Sequence, residues 1–302
     1  MNVIIILITY AWRFRMIKID SVSKKYSGDI IALNCVSLEI GNGMFGLLGN
    51  NGAGKTTLMN IISTLMPATE GTISIDDIAY ETKNMRALRN MIGYMPQENS
   101  MFPGLTALEC VSYFCLLNHK ETKTAYNLLE FVGLQDMAGR KYKALSGGMK
   151  RRLSLAVALV NDPSVLIVDE PTTGVDPLER IKMRQLLLDL SKNKTIIIST
   201  HILEDIVYTC KNMAVLSKGR LIYNGEIENV IKQCNGKIWE YNTCDYNEMQ
   251  MVRDKYDAIS IENKGEEWKI IVYAKKCPFL GAKSCFPNFE QAYVVLGKEN
   301  EL

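Results

Sequence analysis

Gly49-Asn50-Asn51-Gly52-Ala53-Gly54-Lys55-Thr56-Thr57 decides how the rest of the chain is read. A short apolar run over residues 44–48 precedes it, and Leu58-Met59-Asn60-Ile61-Ile62, helical in character, follows. Residues 49–56 match G-x-x-x-x-G-K-[ST], and a strand before and a helix after are the context that pattern needs. The glycines let backbone N–H groups turn inward around phosphate oxygens. The first turn of the following helix adds positive potential. Lys55 is placed to neutralise β- and γ-phosphates, and Thr56 offers a hydroxyl to Mg²⁺. Taken alone, the loop leaves kinases, GTPases and motor ATPases open.

Outward from the loop, the pattern alternates. Ile17 and Ile19 alternate with Lys18 and Asp20, and Ser37-Leu38-Glu39-Ile40 repeats the period of two. Gly41-Asn42-Gly43 reads as a turn. Residues 84–160 are mostly helix-patterned. Two apolar strands are expected at 165–168 and 195–199, separated by an amphipathic helix over about 177–190. A further strand over 213–217 ends at the turn Lys218-Gly219. Strands this apolar, alternating with helices, imply an α/β fold with a parallel sheet covered on both faces.

The run Val165-Leu166-Ile167-Val168 is that of a central buried strand, so Asp169 and Glu170 emerge at its C-terminal edge. Ligands of open α/β sheets sit at that edge. Asp169 can hold Mg²⁺ through water, and Glu170 can orient and deprotonate an attacking water. In Leu145-Ser146-Gly147-Gly148-Met149, Ser146 can cap the helix that follows, and Gly147 and Gly148 expose backbone N–H groups. One chain therefore holds a second anion-binding helix terminus.

With these three motifs in order, the chain resembles the nucleotide-binding subunit of an ATP-binding cassette (ABC) transporter over roughly residues 16–225. The resemblance implies a P-loop NTPase fold made of a β-rich edge, a RecA-like parallel-sheet core and a helical subdomain. It implies ATP and Mg²⁺ as the ligands. By the same resemblance, Tyr26 stacks on adenine, although it could equally be a surface strand residue. Gln97, in Tyr94-Met95-Pro96-Gln97, contacts Mg²⁺ and the attacking water. Asp176, in Gly174-Val175-Asp176-Pro177, belongs to a loop that crosses between subunits, and His201 contacts the γ-phosphate. The resemblance further implies two subunits meeting head to tail. ATP then lies between Lys55 of one and Ser146, Gly147 and Gly148 of the other. His119 takes the structural reading.

Met149 stands where the family usually has Gln, and Met149-Lys150-Arg151-Arg152-Leu153 resembles the form in ABC-2-type exporters. The three basic residues read as a solvated helix face beside a phosphate site, not as a nucleic-acid patch. Met91, Met95, Met101 and Phe102 around Gln97 are either core packing or a soft apolar groove for a membrane partner.

Length and composition agree with this reading. The chain has 302 residues, 47% of them hydrophobic and 23% charged, with a formal net charge of +2. That is enough apolar material for a large core, and the near-zero charge argues against a generally basic nucleic-acid binder. None of the eight cysteines forms C-x-x-C and there are two histidines, so a zinc site is not indicated; free thiols are expected. Residues 1–15 carry an apolar run too short to span a bilayer, followed by Arg13 and Arg15. A surface anchor, a covering strand and sequence upstream of a true start at Met16 compete; the last is favoured. No other segment reads as a span, so a membrane role passes through a separate polytopic permease, placing the chain at the cytoplasmic face. The rival is a soluble ABC ATPase of a cytosolic assembly complex.

After about Gly225, tryptophan and tyrosine alternate with polar residues, and Asn263-Lys264-Gly265 suits a hairpin between 259–261 and 268–273. A last helix is expected from Asn288, with Gln291 at the capping-box position. Residues 226–302 are thus expected to form a small α+β unit, and within it Phe286-Pro287-Asn288-Phe289-Glu290-Gln291-Ala292-Tyr293 resembles the short C-terminal segment of ABC-2-type export ATPases.

Overall fold

The computed structural model describes residues 15–28, 30–98 and 101–300. The leader expected over 1–15 lies outside them except for Arg15, whose guanidinium pairs with Asp76 at 2.6 Å.

β1 (Ile17–Lys25) and β2 (Ile31–Ile40) pair antiparallel, and their alternate apolar residues turn inward. β3 (Gly43–Leu48) is buried from Met44 onward and runs into the glycine loop, after which α1 (Lys55–Ile62) begins. β4 (Glu70–Ile75) and β5 (Ile78–Ala79) complete a sheet of order β2-β1-β4-β5. α2 (Met85–Met91) leads into β6 (Ile92–Met95). This strand lies inside the stretch read as helix-patterned. Four residues are too few to display a period of two between flanking helices.

α3 (Ala107–Leu117), α4 (Thr122–Phe131) and α5 (Gly147–Ala158) form the helical layer. A capping box of Thr106 and Glu109 starts α3. Then come β7 (Val165–Asp169), α6 (Pro177–Ser191), β8 (Thr195–Thr200), α7 (Leu203–Val207), β9 (Asn212–Ser217) and β10 (Arg220–Glu226). The second sheet has the order β10-β9-β3-β8-β7-β6. All neighbours are parallel except β10 against β9. β7 and β8 are buried at every position, as their unbroken apolar runs require. Because β3, β7 and β8 lie side by side and parallel, the residues that follow them converge on one edge.

The C-terminal part contains α8 (Ile227–Gln233), β11 (Ile238–Thr243), α9 (Tyr246–Lys255), β12 (Ala258–Asn263), β13 (Trp268–Tyr273), β14 (Lys283–Ser284) and α10 (Phe289–Glu299). Its sheet has the order β12-β13-β11-β14. One face, with Ile270 and Val272, packs on Met249 and Val252 of α9. The other, with Ile238 and Ile271, meets Phe289, Ala292 and Val295 of α10. That second core continues through Val230 and Ile206 to the parallel sheet. The Asn288–Gln291 capping box starts α10. Among the described residues, no helix is long and apolar enough to cross a membrane.

Candidate active site

The glycine loop is held in shape from below. Gly54 has φ +102°, and a Cβ there would lie 2.6 Å from the carbonyl oxygen of Ala32. Only glycine satisfies both the left-handed backbone and the contact. No side chain caps α1 after it, so its first N–H groups face outward. Lys55 is buried and its Nζ donates to the carbonyls of Gly49 at 2.6 Å and Asn50 at 3.3 Å. Burial lowers the pKa of the ammonium, and Glu170, 4.0 Å away, and Asp169 act the other way.

A cleft of about 430 Å³ opens over this loop, lined by residues 51–57 together with Ala32, Gln97, Glu170, Thr173 and His201. Gly49 and Asn50 contribute through the carbonyls that hold Lys55. Thr56 and Thr57 lie on the first turn of α1. Tyr26 stands outside this lining, about two-fifths exposed, with its hydroxyl 3.4 Å from that of Thr57.

Asp169 ends β7 and is fully buried. Ser199, its register partner on β8, donates its hydroxyl to Oδ1, and the Thr56 hydroxyl beside the carboxylate also favours its charged form. Among the described residues Oδ2 has no hydrogen-bond partner. Burial pushes the carboxyl above the usual aspartate range. A buried carboxylate oxygen left unpaired beside a threonine hydroxyl is a donor set that suits a hydrated divalent cation.

Glu170 begins the following loop with φ +48°, an uncommon conformation for a residue other than glycine. Its amide donates to the Ser199 carbonyl at 3.0 Å, which fixes the turn. Its carboxylate is 4% exposed and accepts from the Thr173 hydroxyl at 2.7 Å. His201 Nδ1 lies 2.9 Å from Oε2. His201 follows β8 directly, and its side chain is about half exposed.

The second helix terminus expected to bind an anion lies elsewhere. Ser146 caps α5, its hydroxyl accepting from the Met149 amide at 3.2 Å. None of Ser146, Gly147 and Gly148 lines the cleft over Lys55. The two glycines differ: a Cβ on Gly147 would meet nothing within 4 Å, whereas one on Gly148 would fall 2.5 Å from Glu179 Cγ. Asp176 caps α6 with Pro177 in its first turn, accepting from the Glu179 amide at 3.0 Å.

Three features differ from the sequence reading or were absent from it. Arg152 is not on a solvated face. It is 6% exposed, pairs with Glu179 at 2.9 Å and donates to the carbonyls of Val132 and Gly133. Its neighbour Leu153, fully buried, carried the signal that this side of α5 faces inward. Ser199 was missed, although it is a polar residue closing an apolar strand. A network of Thr172, Asp205 and Arg184 left no trace in the local pattern. Of the methionine cluster, Met95 and Met101 are core, while Phe102 is exposed and stands edge-on to Tyr113.

Residues 33–173 match the family model described as ABC transporter. The chain is 36% identical over 257 residues to the Nod factor export ATP-binding protein I of Rhizobium etli, covering 83% of this chain and 80% of that one. It is 33% identical over 227 residues to the linearmycin resistance ATP-binding protein of Bacillus subtilis, covering 73% and 72%. The chain belongs to the ABC transporter family. It is an ABC ATPase, the ATP-binding subunit of a transporter. Among solved structures, a dimeric bacterial ABC transporter cassette superposes with a TM-score of 0.64 at 30% identity, over 70% of this chain and 98% of that one. The cassette cbiO1 of Clostridium perfringens, part of the cbiONQ transporter complex, gives 0.64 at 30% identity, over 72% and 94%. A structure of the first cassette holds ADP and Pi after hydrolysis, at 29% identity.

Proposed function

We propose that this ABC ATPase energises export through a separate polytopic membrane subunit, docking as a peripheral protein on the cytoplasmic face of the membrane. ATP is held between the Lys55 loop of one subunit and Ser146, Gly147 and Gly148 of a second copy. One observation carries this reading: a built anion terminus, with an open Gly147 face, that lies outside its own chain's nucleotide cleft. The export assignment draws on relatives named for Nod factor export and linearmycin resistance.

In this mechanism Lys55 and the N–H groups of residues 51–57 bind the β- and γ-phosphates, and Tyr26 supports the adenine. Mg²⁺, held by Thr56, Asp169 Oδ2 and the Gln97 side chain, would neutralise charge on the phosphate oxygens. Glu170 accepts the proton of the attacking water. Thr173 and His201 orient its carboxylate, and Ser199 fixes its backbone. His201 also contacts the γ-phosphate. Phosphoryl transfer asks the protein chiefly for such positioning and charge placement.

Glu170→Gln tests the assignment. Turnover should fall by about 10²–10⁴-fold, the range of a general base, while ATP binding persists and dimers accumulate in Mg-ATP. Full turnover would sink the general-base role. A monomer at saturating Mg-ATP in sedimentation velocity would sink the shared site.

A further inference from the structure

α5 carries the Ser146–Gly148 terminus at its start and two adjacent arginines in its second turn. Neighbouring residues of a helix point about 100° apart, and these two reach different parts of the molecule. Arg152 is buried between Glu179 and the carbonyls of Val132 and Gly133, which fixes α5 to the end of α4 and to α6. Arg151 leaves the other way. Its Nη1 donates to the backbone carbonyl of Gln97, 54 residues earlier. Its charge also reaches Asp169, Glu170, Glu98 and Tyr142.

Gln97 lines the nucleotide cleft of the same chain. A single side chain therefore ties the helix that faces a partner's nucleotide to the loop that faces this chain's own. We infer that Arg151 is a positioning residue that couples the two ATP sites, so that the Gln97 loop carries the α5 terminus with it when ATP settles over Lys55. The inference rests on the shared-site reading above. The acceptor is a main-chain carbonyl, so the link follows the loop's backbone and leaves the Gln97 side chain free for the cleft. A charged donor to a carbonyl is stronger than a neutral one and keeps its charge whether or not the loop moves.

The test reads ATP-driven association of the full-length chain by sedimentation velocity against ATP concentration, in the Glu170→Gln background. That background alone must dimerise in Mg-ATP; if it stays monomeric, the shared-site reading fails and this inference with it. If it dimerises, adding Arg151→Ala should raise the ATP concentration for half-association by about tenfold, as expected for one lost charge-assisted hydrogen bond. Affinity of the single subunit for a fluorescent ATP analogue, read at protein concentrations too low for association, should change by less than about twofold on the same scale. Arg151→Lys keeps the charge and one donor, and should recover most of the lost association. Unchanged association in the Ala variant overturns the coupling role while leaving the shared site intact. An equal loss of single-subunit affinity, or a loss that Lys fails to recover and that tracks a lowered melting temperature, also overturns it in favour of a merely structural contact.

Discussion

Alanine at Gly148 puts a Cβ 2.5 Å from Glu179 Cγ, 2.6 Å from Oε2 and 2.8 Å from Glu179 Cβ. Comfortable carbon–carbon contacts are about 3.5–4.0 Å. Swinging the carboxylate aside does not solve this, because Glu179 Cβ is fixed to the backbone of α6. A change of Glu179 rotamer frees Cγ and Oε2 but leaves Cβ at 2.8 Å, so α6 must also retreat from α5, and Arg152 then keeps only the Val132 and Gly133 carbonyls. Overpacking costs about 1–3 kcal/mol. Partial loss of a buried ion pair adds to it, for a total of about 2–4 kcal/mol. In a chain of this size that lowers Tm by about 3–6 °C. At Gly147 the same methyl meets nothing within 4 Å. Alanine is favoured over glycine in a helix by up to about 1 kcal/mol, so Tm holds or rises slightly. Both variants should lose ATP turnover, since Gly147→Ala fills the face offered to a partner's phosphates. Differential scanning calorimetry and a phosphate-release assay read the two effects separately. Equal falls in Tm for the two variants would refute the packing argument. Full turnover in Gly147→Ala would refute the assignment of its open face.

Lys55→Ala should reduce ATP turnover by at least about 10²-fold, as for loss of a preorganised electrostatic contact; retained turnover in phosphate release would remove Lys55 from the site. The Cys210 thiol is pushed up to about 12, mainly by burial, so it should resist thiol reagents in the folded protein while exposed Cys35, Cys244 and Cys277 react. Mapping the labelled cysteines by mass spectrometry checks this, and rapid labelling of Cys210 contradicts it. The Glu299 carboxyl is held below its ordinary 4.5 first by the Lys237 hydrogen bond and then, against burial, by Tyr273. A lowered carboxyl pKa stabilises above 4.5 and is lost as pH falls through the folded value. The hold of α10 on its sheet should therefore weaken in acid, by less than about 1 kcal/mol because the pair is partly solvated. Emission from Trp239 and Trp268 should shift in that range, and Glu299→Gln should flatten the shift.

The parts of the site that sit at strand ends were readable from sequence. A run such as Val165-Leu166-Ile167-Val168 can only be buried on both faces, which places Asp169 and Glu170 at an edge without further information. Thr195–Thr200 does the same for His201. Less legible was anything set by partners distant in sequence. β6 is too short to show its period. Arg152 looks solvated because its acceptors, two carbonyls and Glu179, are supplied by other segments. The positive φ of Glu170 goes with a hydrogen bond from its amide N–H to the Ser199 carbonyl, which no local pattern encodes. The tail is legible as α+β, and Asn288 with Gln291 three residues on signals the capping box that starts α10. Its second core was not: Phe289, Ala292 and Val295 show helical spacing, but the sequence does not say that Ile206 and Val230 extend the same cluster towards the parallel sheet.

On the proposed shared site, charge is what leaves one subunit's cleft incomplete. Lys55 brings one positive side chain into the cleft, the Arg151 charge reaches the same carboxylates from α5, and Asp169 and Glu170 bring two negative ones. The triphosphate is itself a polyanion. The α1 terminus offers the equivalent of about half a charge, which does not reverse the balance. In the proposed mechanism the missing positive potential comes from a divalent cation and from a second helix terminus, the one that Ser146 caps at the start of α5 in another chain. Chelating divalent cations should therefore abolish ATP-driven association of the wild-type chain, not only its turnover. Replacing Glu170 by Gln removes one of the two negative charges, so its association should survive chelation at a higher ATP concentration. Sedimentation velocity with and without EDTA distinguishes the cases. Identical ATP dependence for both proteins in EDTA would show that the carboxylate charge does not set the requirement, and the composite site would then need a purely geometric explanation.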